Sequence, residues 1–179
     1  QWHMVYKDVD RFKSQIPELE VVTPMTSVWG RKVVFGDKVF ATTSNGQDWS
    51  HKNIPAPQSP TLVCLDKNTG AYLGEEMSGI SEHLMHCNWS SPAAGMVNGR
   101  EAVIFGGGDG FLHAFDPNPV PVEDEPDLKK LPELWRYNCV PERYFQHKYP
   151  AADGPSEVIA TPVIYKGRAY VAIGQDPEH

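Results

Sequence analysis

GGGDGFLHAFDPNP, Gly106 to Pro119, follows directly on the apolar run Ala102-Val103-Ile104-Phe105 and admits two readings. A phosphate-cradling loop leads from a strand into a helix N-terminus, where free backbone N–H groups face the anion. Here the following residues, Phe111-Leu112-His113-Ala114-Phe115, alternate at the period of a strand, and Asp-Gly between two such runs is a hairpin signal. The stretch therefore predicts a tight β-hairpin, and the phosphate-loop reading is set aside.

The same design recurs along the chain. Gly36 to Asp48, Gly99 to Asp109 and Gly167 to Asp176 each contain a glycine turn, a strand of β-branched and aromatic residues, and a glycine-bearing corner that ends in Asp. Leading strands precede the copies at Arg31–Phe35, Ser91–Val97 and Thr161–Tyr165, and third strands follow two of them at Leu62–Asp66 and Leu112–Phe115, with a fourth at Leu134–Tyr137. Four short antiparallel strands per repeat make a propeller blade. The corner aspartates stand 61 and 67 residues apart, longer than the roughly 40–50 of a compact blade, and inserted segments 49–60, 120–131 and 141–156 account for the excess.

Composition agrees with this reading. Fifteen glycines, 16 prolines and 11% aromatics in 179 residues favour short strands and tight turns over helices. The net charge of −7, with no local basic cluster, disfavours nucleic-acid binding. Glu123-Asp124-Glu125-Pro126-Asp127 reads first as a solvated surface loop and second as a partner-binding patch. No transmembrane segment and no secretory leader can be read from these residues. Cys64, Cys87 and Cys139 lack zinc spacing and a haem attachment motif; their odd number allows one internal disulfide, Cys87 with Cys139, against which buried free thiols are the plainer reading.

Cys64-Leu65-Asp66-Lys67-Asn68-Thr69-Gly70, and Ala114-Phe115-Asp116 followed by Leu134-Trp135, resemble the blade motif A-x-D-x-x-T-G-x-x-x-W of pyrroloquinoline-quinone-type propellers. In that motif Asp and Thr-Gly bond the turn backbone, and Trp stacks between blades. Asp66, Thr69, Gly70, Asp116 and Trp135 occupy motif positions, while Cys64 replaces Ala, Gly74 stands where Trp is expected, and the second copy carries Pro-Asn-Pro and an insertion. His86–Pro92, Gly107–Gly110, Ala160–Val163 and Gly174–His179 are similar to exported quinoprotein-like propellers, a group that includes quinoprotein dehydrogenases and an outer-membrane assembly lipoprotein.

The resemblance implies an all-β, incomplete propeller: residues 1–26 as the end of a preceding blade and a connection, 27–80 as a blade with inserted loop 49–60, 81–140 as a blade with acidic insertion 120–131, 141–158 as a connecting loop, and 159–179 as the start of a further blade. A ring closes with 4–8 blades, so the partners expected are the remainder of the same propeller or other protein chains. An extracytoplasmic, periplasmic location follows from the resemblance alone.

Corner residues Asp48, Asp109 and Asp176 are expected to bond turn N–H groups. Asp176, Glu178 and His179 together form a candidate metal site suited to calcium. Asp48, His51 and Trp89 are candidate ligand contacts on one face. His83, His86 and Cys87 offer soft donors on a strand approach that makes convergence awkward. No residue matches the calcium ligands or the base of a quinone-dependent dehydrogenase, and no catalytic or cofactor-binding residue is assigned. The expectation is a protein-binding or assembly module, or an accessory subunit of a larger complex. The alternative is part of a quinoprotein alcohol or sugar dehydrogenase, with pyrroloquinoline quinone and calcium held on the axis of the complete ring.

Overall fold

The structure, a computed structural model, describes residues 32–43, 45–50, 52–140 and 158–173. His51, Asp176, Glu178 and His179, the segment 1–26 and nearly all of the connection 141–158 lie outside the described residues.

Strands β1 (Lys32–Phe35), β2 (Lys38–Thr42), β3 (Leu62–Asp66) and β4 (Tyr72–Glu75) form an antiparallel meander in chain order. A 3₁₀ turn, Ile80–Glu82, leads on to β5 (Ala93–Val97), β6 (Arg100–Gly106) and β7 (Phe111–Phe115), which with β10 (Glu133–Asn138) make a second four-stranded antiparallel sheet. A third hairpin pairs β11 (Val163–Tyr165) with β12 (Arg168–Tyr170). These are propeller blades, two with four strands each and a two-stranded third; among the described residues they do not close into a ring. The first strands of the sheets neighbour one another, β5 lying beside both β1 and β11.

Local chemistry explains the turns. Asn98-Gly99 and Lys166-Gly167 hold φ values of 50°, 77° and 47°, 73°, the pair of left-handed residues that suits a two-residue hairpin to the twist of its strands. Residues 107–110 turn β6 into β7, with Gly107 N donating to Phe111 O at 2.8 Å and Gly110 N to Gly107 O at 3.2 Å. The glycines that open this stretch are required by close approach rather than by an anion. A side chain on Gly106 would meet Val158, and a Cβ on Gly108 would lie 2.6 Å from the Cys87 carbonyl oxygen.

Period-two alternation sorts β6 onto two cores. Val103 and Phe105 face Phe40, Leu62, Cys64 and Phe115 between the first and second sheets. Ala102 and Ile104 face Leu112, Ala114, Ile164 and Ala169 between the second sheet and the third hairpin. A strand buried on both faces is a blade sandwiched between blades, and each large apolar side chain so buried contributes about 1.5–3 kcal/mol.

The acidic insertion departs from the solvated loop read from its charges. It folds as a hairpin of β8 (Val120–Val122) and β9 (Glu125–Lys130), and β9 adds in parallel to β4 at Glu75 and Lys130, so an insertion of the second blade extends the first blade's sheet to six strands. Leu131, at its end, is 2% exposed and sits in the core between the blades. Leu131 anchors the hairpin in the core and the hairpin backbone pairs with the sheet edge, while Glu and Lys side chains stay in water.

This hairpin also accounts for Gly74. A Cβ there would lie 2.7 Å from Pro119 Cβ and 2.8 Å from Lys129 O. Where the motif has an interblade tryptophan, the neighbouring blade's hairpin fills the space. Trp135, the tryptophan of the second copy, lines an open cleft of about 880 Å³ between β10 and the β11–β12 hairpin.

Candidate functional site

The corners of the first two blades meet in one layer. Segment 85–88 stitches them: Met85 N donates to Gly108 O at 2.8 Å and Gln47 N to His86 O at 2.7 Å. Asn88 N donates to Asn45 O at 3.0 Å, and the Asn88 side-chain Oδ1 accepts from Gly108 N at 2.9 Å. The third hairpin joins through Val158 N, which donates to Gly107 O at 3.2 Å.

Each described motif aspartate bonds its own turn. Asp48 accepts from Ser50 N at 2.9 Å, Ser50 Oγ at 2.6 Å and Asn53 Nδ2 at 2.9 Å. These bonds, led by the Ser50 hydroxyl, hold its carboxyl down at about 2. Asp66 Oδ1 accepts from Thr69 N, Thr69 Oγ1 and Asn68 N, at 2.8, 2.8 and 2.9 Å, while Gly70 turns the chain with φ 70°. Backbone donation from Thr69 leads in lowering its pKa. For Asp116, desolvation pushes the pKa up, but the Arg100 guanidinium at 2.8 Å and the Asn118 donors outweigh it and the net direction is down. Asp109 Oδ1 accepts from Phe111 N at 3.1 Å.

Two buried ionisable clusters escape the sequence reading. His113, fully buried, has Nε2 3.0 Å from Asp109 Oδ2 and Nδ1 2.9 Å from Glu133 Oε1, with its ring stacked on Phe115 at 6.0 Å. Glu76, 3% exposed, accepts from Thr61 N and Oγ1 and from Ser78 N and Oγ at 2.7–2.9 Å. An ionisable residue in phase with the core positions of its strand signals the first, since His113 alternates with Phe111 and Phe115. Nothing in the sequence pairs Glu76 with Thr61.

Among the described residues no three carboxylate, imidazole or thiol groups converge as metal ligands. The oxygens of Asp48, Asp66, Asp109 and Asp116 accept from turn donors, and the candidate calcium ligands Asp176, Glu178 and His179 lie outside the described residues. His86 lies with its ring 5.5 Å from Trp89 at 54°, a packing contact at the edge of the layer. Cys64, Cys87 and Cys139 form no disulfide among the described residues. Burial pushes Cys64 up to about 12 and raises Cys139 as well, so neither is a ready nucleophile at neutral pH.

One residue in the layer is built outward. Trp49 is 99% exposed, beside a turn closed by the Asp48 side-chain bonds and by Asp48 N donating to Asn53 O at 2.9 Å. No helix among the described residues is long and apolar enough to cross a membrane.

No known protein family and no curated protein matches the chain. Among solved structures, the chain is similar to BamB from Moraxella catarrhalis at 20% identity and a TM-score of 0.44, over 79% of this chain. It spans 29% of the length of that solved chain.

Proposed function

We propose that this chain is a protein-binding module of an extracytoplasmic propeller, and that partners dock on its corner layer with Trp49 as the anchor. The observation that supports this is a fully exposed tryptophan held beside a preorganised turn. Large aromatic side chains dominate binding hot spots, and a side chain presented on an ordered turn loses less entropy on docking. The carboxylates of the layer are engaged in holding turns, which suits a rigid docking platform better than acid–base chemistry. The extracytoplasmic location rests on the blade motifs and their resemblance to exported propellers.

The test is affinity purification of the tagged full chain from its native source, as wild type and as Trp49→Ala. A stoichiometric partner that falls by roughly 30-fold in affinity, the equivalent of about 2 kcal/mol, with an unchanged melting temperature supports the reading. Equal partner recovery by both proteins overturns it. So does quinone absorbance with one calcium per chain, which would make the protein a dehydrogenase.

A further inference from the structure

His113 occupies a position that no packing requirement explains. It lies on β7 opposite Phe105 of β6 and Arg136 of β10, in phase with Phe111 and Phe115 on the face that meets the first blade. Its two nitrogens each face a carboxylate: Nε2 faces Asp109 at 3.0 Å and Nδ1 faces Glu133 at 2.9 Å. A neutral imidazole has a single N–H, so one of these contacts would set a nitrogen lone pair against a carboxylate oxygen; the imidazolium donates to both.

The two carboxylates belong to different structural units. The Asp109 side chain is 7% exposed and shapes the corner, where Gly107 and Gly108 bond Val158 and segment 85–88. Glu133 opens β10 two residues after Leu131, whose N–H donates to Glu75 O at 2.8 Å and ties the hairpin root to the first blade. His113 is the covalent and hydrogen-bonded middle of that path.

We propose that His113, as an imidazolium donating to Asp109 and Glu133 at once, is a proton-operated latch that couples the corner layer to the root of the β8–β9 hairpin. The charged groups facing it are Asp109 on the corner and Glu133 on β10, with Arg136 its cross-strand neighbour on β10. Arg136 Nη2 lies 3.5 Å from Glu133 Oε2 and shares that carboxylate. Phe105, Phe111 and Phe115 supply only apolar or ring faces.

Burial pulls the His113 pKa down, but bonding and charge from Asp109 and then Glu133 outweigh it, and the net direction is up. Since the folded value lies above the ordinary one, the latch contributes fully below the ordinary histidine range. It is lost as pH climbs through the raised value. The coupling therefore opens on the alkaline side.

The test is ¹⁵N NMR of the histidine ring nitrogens in the full chain between pH 5 and 10, with amide hydrogen exchange at Gly108, Phe111 and Leu131. The expected result is a doubly protonated His113 ring at neutral pH with its midpoint above the ordinary histidine value. Exchange at all three amides should rise together past that midpoint, roughly tenfold beyond the intrinsic base-catalysed increase. His113→Gln should remove the concerted rise, and Glu133→Gln should move the midpoint to lower pH. A singly protonated ring at neutral pH overturns the proposal, because a neutral imidazole cannot donate to both carboxylates. A concerted rise that persists in His113→Gln overturns it as well. If that variant does not fold, the wild-type titration and Glu133→Gln decide.

Discussion

The backbone nitrogen of Leu131 donates to the carbonyl oxygen of Glu75 at 2.8 Å, so a residue of the second blade completes the sheet of the first. Together with the contact of Pro119 and Lys129 over Gly74, this makes the β8–β9 hairpin an interblade staple in the place of the motif tryptophan.

Gly74→Ala should therefore destabilise the chain by roughly 1–3 kcal/mol through overpacking against Pro119 and the Lys129 carbonyl. Leu131→Ala should cost about 2–5 kcal/mol, as a buried leucine that leaves a cavity between the blades. Asp124→Asn, at the turn between β8 and β9, should stay within about 0.5 kcal/mol of wild type. Urea denaturation of the three variants checks this. If Gly74→Ala matches Asp124→Asn, the hairpin does not pack on the first blade.

Glu76→Gln should cost about 1–3 kcal/mol even though it keeps the shape of the side chain. The carboxylate accepts four bonds, from the N–H and hydroxyl of both Thr61 and Ser78. An amide replaces one acceptor oxygen with a donor, which then faces donors at close range. A urea midpoint unchanged from wild type would show that the carboxylate contributes nothing net to the loop joining β4 to the 3₁₀ turn.

Much of the architecture was legible because blades are local. Gly36, Asn98-Gly99 and Lys166-Gly167 announce hairpins, Phe111 to Phe115 alternates at the strand period, and Asp66-Lys67-Asn68-Thr69-Gly70 writes its own turn. The staple was not legible, because pairing β9 with β4 joins residues far apart in the chain, and the Glu and Asp run conceals the few apolar anchors on which that pairing depends. The His113 and Glu76 clusters were hidden for a related reason. A buried ionisable group is explained by its partners, and Glu133 and Thr61 become partners only once the sheets are formed. At Asp48 and Asp109 the turn bonds are local, since an Asx turn needs only the next two or three residues.

The Asp48 turn gives a prediction on the acid side. Its carboxyl is held at about 2 by the Ser50 hydroxyl and then by Asn53, below the ordinary aspartate value of about 3.9. A group whose folded pKa is depressed contributes above its unfolded value, and the contribution is lost as pH falls through the folded value. The turn beside Trp49 should thus keep its order through mild acid and loosen only as pH approaches about 2. Carbon-13 NMR of the Asp48 carboxyl reads this directly, with Trp49 fluorescence anisotropy as a second probe. Ser50→Ala should raise the Asp48 midpoint toward the ordinary value, because it removes the leading donor. A wild-type midpoint at about 3.9 would mean the turn is not preorganised in solution, and Trp49 would then lose the rigidity that makes it an anchor.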